Sequence, residues 1–281
     1  MKITQAVMPA AGHGTRFLPY TKAIPKEMVP LLDKPAIQYI VQEIADAGLS
    51  EAIMITAPHK QAIAQHFGKA SELEAFLQEK NKSHLLDNLN KLIAQVKIEY
   101  IHQTHAKGLG HAISLAQAPI GNDEYFAVLL PDDIMISQQP GIGQLIEIAR
   151  TENASVIAVQ EVPQENISAY GVIAFDKQLS DDLFELKSVV EKPAAQNAPS
   201  NLAIIGRYVL SSQIFKLLDE VSPSANGEIQ LTDGIAKLIE SGHKVLAYKI
   251  KGTRHDVGTP SGWLQANEAL AFEKRSARNS S

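Results

Sequence analysis

The chain has 281 residues, 45% of them apolar and 20% charged, which is enough to enclose a large core and too apolar for a disordered segment. A net charge of −5 and a pI near 6.0 exclude a broad basic footprint for nucleic acid or an anionic membrane, so any anion site must be local. With no cysteine, disulfides, thiolate nucleophiles and thiolate metal sites are excluded too.

In the first two thirds, short apolar runs alternate with helical patterns, which predicts βαβ units and a largely parallel sheet. The opening MKITQAVMPAAG has no basic region followed by a long apolar stretch. No apolar run reaches the roughly 20 residues that span a bilayer, so a cytoplasmic location is expected. Strands are predicted at Ile3 to Met8, Ala52 to Thr56, Val96 to His102, Phe126 to Leu130 and Ser155 to Val162. After Pro35, the helical spacing of Ile37, Ile40, Val41 and Ile44 predicts an amphipathic helix on the sheet, ended by Gly48. Residues 60 to 95 read as a polar helical insertion. Its apolar stripes, Leu73, Phe76 and Leu77, then Leu85, Leu86, Leu89 and Leu92, could face a partner subunit, but packing on their own domain is favoured. Beyond Pro163 come β-rich segments at Gly171 to Phe175, Leu186 to Glu191, Ala203 to Leu210 and Val245 to Ile250, then a helix from Pro260 to about Phe272 and a polar basic tail.

Three strand exits carry residues suited to phosphate chemistry. The loop Ala10-Ala11-Gly12-His13-Gly14-Thr15-Arg16 follows the first strand, where small residues let backbone N–H groups approach a phosphate. It satisfies neither the P-loop, which needs Gly-Lys-Ser/Thr, nor the dinucleotide fingerprint, which needs a third glycine where Phe17 stands. An NAD-dependent oxidoreductase is therefore set aside. The following run to Met28, stiffened by Pro19 and Pro25, adds Lys22 and Lys26 to Arg16 as fixed cations suited to a triphosphate. Gln103, after the third strand, can both donate and accept, as recognition of a pyrimidine requires, beside the flexible backbone of Gly108. The nearby His102, His105 and His111 are too irregularly spaced for a metal cluster and suit packing or capping. Asp132 and Asp133 end a fourth, apolar strand, and hard oxygen ligands at that edge suit magnesium. For Asp133 a turn or helix-cap role is favoured.

The pattern G-x-G-T-R-x-L-P-x-T-K-x-x-P-K-E-M, from Gly12 to Met28, resembles the signature of bacterial UTP–glucose-1-phosphate uridylyltransferases, and five further blocks match that family in order from Gln5 to about Phe272. The resemblance implies an α/β fold of the Rossmann-like nucleotidyltransferase (GT-A-like) class, with a mixed, mostly parallel sheet flanked by helices and a smaller β-rich sugar-binding part. It implies one domain over 1–273: a nucleotide-binding part to about 162, a sugar-phosphate part over about 163–259, and a C-terminal helix over 260–273, leaving 274–281 as a flexible tail. The substrates it implies are UTP and glucose 1-phosphate, the cofactor is Mg²⁺, and assembly is as a homo-oligomer, tetramer or dimer. The nucleotide would be held by Ala10, Ala11, Gly12, Gly14, Thr15, Arg16, Lys26, Gln103 and Gly108, with Gln103 and the backbone of Ala10, Ala11 and Gly108 reading uracil. Asp132 and Asp256 would hold the metal. Gly171 and Glu191 would meet the glucose and Lys192 its phosphate, while Arg16, Lys26 and Lys192 serve catalysis. A dTTP-dependent thymidylyltransferase and a non-catalytic nucleotide-sugar-binding regulator are the rival readings. Gly206, Glu228 and Asp233 match the family too, with contacts the sequence does not supply; Glu228 and Asp233 would suit support of a helix start.

Overall fold

The computed structural model describes residues 1–121 and 125–279. Its strands are β1 (Gln5–Pro9), β2 (Pro30–Leu31), β3 (Lys34–Pro35), β4 (Glu51–Thr56), β5 (Lys97–His102), β6 (Tyr125–Leu129), β7 (Asp133–Ile136), β8 (Ser155–Glu161), β9 (Gly171–Gln178), β10 (Leu183–Glu191), β11 (Leu202–Ser211), β12 (Val245–Lys249) and β13 (Thr253–Asp256). The helices are α1 (Ala36–Asp46), α2 (Gln61–Phe67), α3 (Ser71–Glu79), α4 (Asp87–Gln95), α5 (Leu109–Ser114), α6 (Gln117–Ile120), α7 (Gly141–Glu152), α8 (Ile214–Asp219), α9 (Leu231–Glu240) and α10 (Pro260–Asn279).

Nine strands form one sheet in the order β5-β4-β1-β6-β11-β8-β12-β10-β9. The ladders β4–β5, β1–β4, β1–β6 and β8–β12 are parallel, whereas β11 runs against β6 and β8, and β10 against β12 and β9. This is the mixed, mostly parallel α/β sheet that the family resemblance implies, with the parallel part where the alternating pattern predicts it. Because β1, β4, β5 and β6 run the same way, the exits at Ala10, Ala57, Gln103 and Leu130 share one edge, the ligand edge of an open α/β sheet. Strands β1, β4 and β6 are buried on both faces, while β5 at the sheet's edge is only half-buried. One cluster joins Met8, Met54 and Leu129 to Ile37, Ile40 and Ile44 of α1; the other joins Val7, Ile55 and Val128 to Ile113, Leu218 and Leu238. Helix α1 thus buries the predicted stripe, and Gly48, at φ +76°, takes the left-handed turn that follows it.

The helical insertion differs from its predicted stripes. Leu77 and Leu92 are buried, but Leu73, Phe76 and Leu85 stand exposed, so packing against the chain's own core accounts for part of the stripe only. Helix α10 runs to Asn279, beyond residue 273 where the sequence pattern places a flexible tail; the last two residues lie outside the described residues.

Between α1 and β11 lies a buried ion pair that the sequence does not announce. Arg207 is fully buried, with Nε and Nη2 donating to the two carboxylate oxygens of Glu43 at 2.9 and 2.7 Å. Its remaining donors go to the carbonyls of Leu130 (3.2 Å), Gly206 (3.1 Å) and Asp133 (2.7 Å), so all its polarity is absorbed. Burial opposes the guanidinium charge, but Glu43 and Asp133 outweigh it and hold the pKa above its ordinary value. Replacing Arg207 by Met strands Glu43 as an uncompensated buried carboxylate. The expected loss, about 3 to 5 kcal/mol of unfolding free energy, is measurable by urea denaturation; a loss below about 1 kcal/mol would show the pair to be dispensable.

Candidate active site

The glycine loop is held from behind. The Ala10 N–H donates to Ile55 O at 2.7 Å, continuing the β1–β4 ladder past its end. Lys60 is buried, and its Nζ donates to Ala10 O (2.7 Å) and to both carboxylate oxygens of Glu27 (2.9 and 2.8 Å). Burial lowers the Lys60 pKa, against the pull of Glu27, yet three acceptors within hydrogen-bond reach match the three donors of an ammonium group. The loop is closed from in front by Thr21, whose hydroxyl donates to Gly14 O at 2.8 Å. Gly14 sits at φ +67°, and a Cβ there would lie 3.1 Å from Cβ of Lys26, so only glycine lets the loop turn this close to the lysine. Glu27 and Lys60 escape the sequence reading because each looks like an ordinary surface charge.

Lys26 in turn meets the strand exit after β6. Its Nζ lies 2.7 Å from Asp132 Oδ2, and Arg16 Nη2 lies 3.9 Å from the same oxygen. Burial pushes the Asp132 carboxyl up, but the charge and hydrogen bond of Lys26, with Arg16 behind, reverse this and hold it below the ordinary carboxylate range. The second predicted carboxylate arrives from the far end of the chain. Strand β13 pairs with β7 in a register that sets Asp256 opposite Asp133, and Val257 N donates to Asp132 O at 2.8 Å. Asp132, Asp256 and Arg16 then converge on Gly258: a methyl group there would sit 3.0 Å from Asp132 Oδ2, 3.0 Å from Asp256 Oδ1 and 3.1 Å from Arg16 Nη2.

Asp133 takes neither a helix-cap role nor a place in this cluster, although its N–H does close a turn onto Leu130 O. Its carboxylate accepts from Gly206 N (2.7 Å) and from Arg254 Nε (2.8 Å), with Arg254 Nη2 at 2.6 Å. Asp133 is therefore a brace. Gly206, whose contacts the sequence could not supply, must lack a side chain because a Cβ would come within 2.6 Å of Asp133 Oδ2.

Gln103 is buried, its N–H bonded to Thr56 O at 2.8 Å and its amide Nε2 directed at His111 Nδ1 (2.7 Å) and Gly108 O (3.4 Å). Gly108, at φ +91°, leaves no room for a side chain because a Cβ would lie 2.7 Å from Ile229 O. Bonds from Ile229 N to Lys107 O and from Gly110 N to Ile229 O, both 2.8 Å, strap this turn to the segment before α9. That explains the run around Glu228: its backbone braces the Gln103 loop. Asp233 stands in the first turn of α9, as expected.

The remaining predicted residues form a second group across the sheet. Glu191 pairs in register with Gly171, and its Oε2 accepts from the Thr232 hydroxyl at 2.7 Å. Lys192, at φ +43°, keeps its side chain 57% exposed, 3.4 Å from Glu191 Oε1. Its N–H donates to Tyr170 O at 3.0 Å, and the Tyr170 ring lies 5.5 Å from the Arg254 guanidinium, so this group reaches the carboxylate cluster through Arg254. Among the described residues no three His, Cys, Asp or Glu side chains gather as a metal cage, so a metal here would rest on the Asp132–Asp256 pair and on ligand oxygens.

With this geometry in place, the relatives are informative. The family model described as nucleotidyl transferase matches residues 5–273. A UTP–glucose-1-phosphate uridylyltransferase of Bacillus subtilis (strain 168) is 46% identical over 279 residues, covering 99% of this chain and 94% of that protein. Two crystal structures of UDP-glucose pyrophosphorylase, one without ligand and one complexed with UDP-glucose, superpose with TM-scores of 0.91 and 0.88 at 41% and 39% identity. They cover 98% and 97% of this chain and the whole of each of those chains. The chain belongs to the nucleotidyl transferase family, among the UTP–glucose-1-phosphate uridylyltransferases.

Proposed function

We infer that the chain transfers the uridylyl group of UTP to glucose 1-phosphate, giving UDP-glucose and pyrophosphate. The observation that carries this reading is the convergence of Asp132, Asp256 and Arg16 around Gly258, with Lys26 on Asp132, at the edge where the glycine loop and Gln103 also emerge. An anionic nucleophile is already available, because the second pKa of a phosphate monoester is about 6, and no strong general base is required. Catalysis then falls to positioning and charge neutralisation.

An oxygen of glucose 1-phosphate attacks the α-phosphorus of UTP in line, the Pα–O–Pβ bond breaks, and the bonding pair leaves on pyrophosphate. Lys26 and Arg16 offset charge that grows on the phosphoryl oxygens, and the N–H groups of Ala11, Gly12, Gly14 and Thr15 line the loop that receives the triphosphate, while that of Ala10 stays bonded to Ile55 O. Lys192, exposed beside Glu191, takes the sugar phosphate, while Gly171 and Glu191 meet the hexose hydroxyls. Asp132 and Asp256 present two hard oxygens and no nitrogen or sulfur ligand, a donor set that suits Mg²⁺ completed by phosphate oxygens and water. Mg²⁺ held there would supply Lewis-acid stabilisation of the phosphoryl charge. The same reading places the enzyme in the cytoplasm as a tetramer or dimer. Among the described residues no helix is long and apolar enough to cross a membrane.

Purified protein mixed with glucose 1-phosphate, Mg²⁺ and each of UTP, dTTP, CTP, ATP and GTP should release pyrophosphate fastest with UTP, and EDTA should stop it. Preference for dTTP would move the chain to the thymidylyl class; UDP-glucose binding without turnover would make it a regulator. Asp132→Ala should abolish turnover, and Lys26→Ala should lower kcat by about 10² to 10³. Lys192→Ala should raise KM for glucose 1-phosphate by about tenfold or more while leaving KM for UTP within about twofold, a split that steady-state kinetics resolves.

A further inference from the structure

We propose that His111 is a positioning residue for base selection: it fixes the Gln103 carboxamide with its oxygen toward the nucleobase, so that the site takes a pyrimidine carrying N3–H and rejects cytosine. The inference rests on the reading above, in which Gln103 meets the base.

The orientation of the amide follows from its two neighbours. Gly108 O, 3.4 Å from the Gln103 side-chain nitrogen, can only accept, so the amide turns its nitrogen and not its oxygen toward it. The same nitrogen lies 2.7 Å from His111 Nδ1. An amide nitrogen has no lone pair to offer, so Nδ1 must be the acceptor, and His111 is neutral with its proton on Nε2. Both hydrogens of the carboxamide are thereby committed, one to each acceptor. Among the described residues no hydrogen bond engages Gln103 Oε1, which is left as the recognition atom. Burial, and then the Lys107 and His105 charges, lower the pKa of the imidazole and so favour its neutral form.

The backbone around the pair is not free to adapt. Gln103 is anchored through its N–H to Thr56 O, and α5, which carries His111, is strapped to the segment before α9 through the Ile229 bonds. Gln103 is itself buried, so its amide cannot swing into solvent to find other partners. An outward oxygen accepts from the N3–H of uracil. Cytosine presents a lone pair at N3 and would set two acceptors face to face, which leaves a buried polar group unpaired. Thymine shares the N3–H, so this device separates UTP from CTP and leaves dTTP to other contacts.

The test is the ratio of kcat/KM for UTP over CTP, measured on purified wild type, His111→Leu and His111→Asn. Leucine removes the acceptor and frees the amide to turn, so the ratio should fall by about tenfold or more, through a higher KM for UTP and a lower one for CTP. Asparagine, whose Oδ1 can accept in place of Nδ1, should restore the ratio to within about threefold of wild type. An unchanged ratio in a folded, active His111→Leu enzyme overturns the inference, as does a loss equal for both nucleotides, which marks a purely structural role. Wild type that turns over no nucleotide overturns the proposed function itself. Gln103→Ala with an unchanged ratio in an active enzyme overturns the placement of the base at Gln103 while leaving the uridylyl transfer standing.

Discussion

The site depends first on one fully buried guanidinium. Arg207 binds the carboxylate of Glu43 with two donors and three backbone carbonyls with the rest, and two of those carbonyls, Leu130 and Asp133, flank the Asp132 exit. The segment that carries the metal-suited carboxylate is therefore pinned from beneath by a group that never reaches solvent. A buried ion pair is weak evidence of net stability, since desolvation offsets most of its attraction. What it supplies is geometry, because five directed hydrogen bonds admit one arrangement of α1, β11 and the 130–133 turn.

A second tier of charges repeats this logic nearer the surface. Lys60 joins the Ala10 carbonyl to Glu27, and Arg254 joins Asp133 to Asp256 and lies against the Tyr170 ring. Each cation bridges segments far apart in the chain, so the groups proposed to handle phosphate stand on backbone already locked before any ligand arrives. Lys26 differs from these. It meets a proposed metal ligand at 2.7 Å, where Arg254 stands 3.7 Å from Asp256, and this contact with Asp132 draws the KEM turn onto the strand exit.

Much of this was legible in the sequence, for reasons that also explain what was not. The strands β1, β4 and β6 are short apolar runs buried on both faces, β8 is buried from Ser155 to Val159, and the α1 stripe has the period of a half-buried helix, so these elements betray themselves by composition. The glycine loop, Gln103, Asp132 and Asp256 could be placed at one edge because each follows a recognisable strand or motif. Glu43, Lys60 and Arg254 could not, because a charged residue on a helix, in a turn or on a short strand reads as solvent-facing until its partner, up to 164 positions away, is known. The turn expected at Asp133 is there, but its carboxylate's partners were out of reach for the same reason: Gly206 and Arg254 are brought to it only by the fold. Leu73, Phe76 and Leu85 show the opposite error, since an apolar period tells which face is greasy and not what covers it.

Strand β11 has a further consequence. Its C-terminal half pairs with β6, beneath the Asp132 exit, β8 runs along both halves, and its N-terminal half touches β9, which begins at Gly171. One ten-residue ribbon thus serves as a ruler between the two ends of the site. Side chains alternate along a strand, so a single inserted or deleted residue between Leu202 and Ser211 would turn Arg207 out of its pocket and slide one end of the ruler by roughly 3.3 Å against the other. Length changes in this lineage are consequently expected to collect in segments such as 60–95, where the chain can lengthen without shifting the scale.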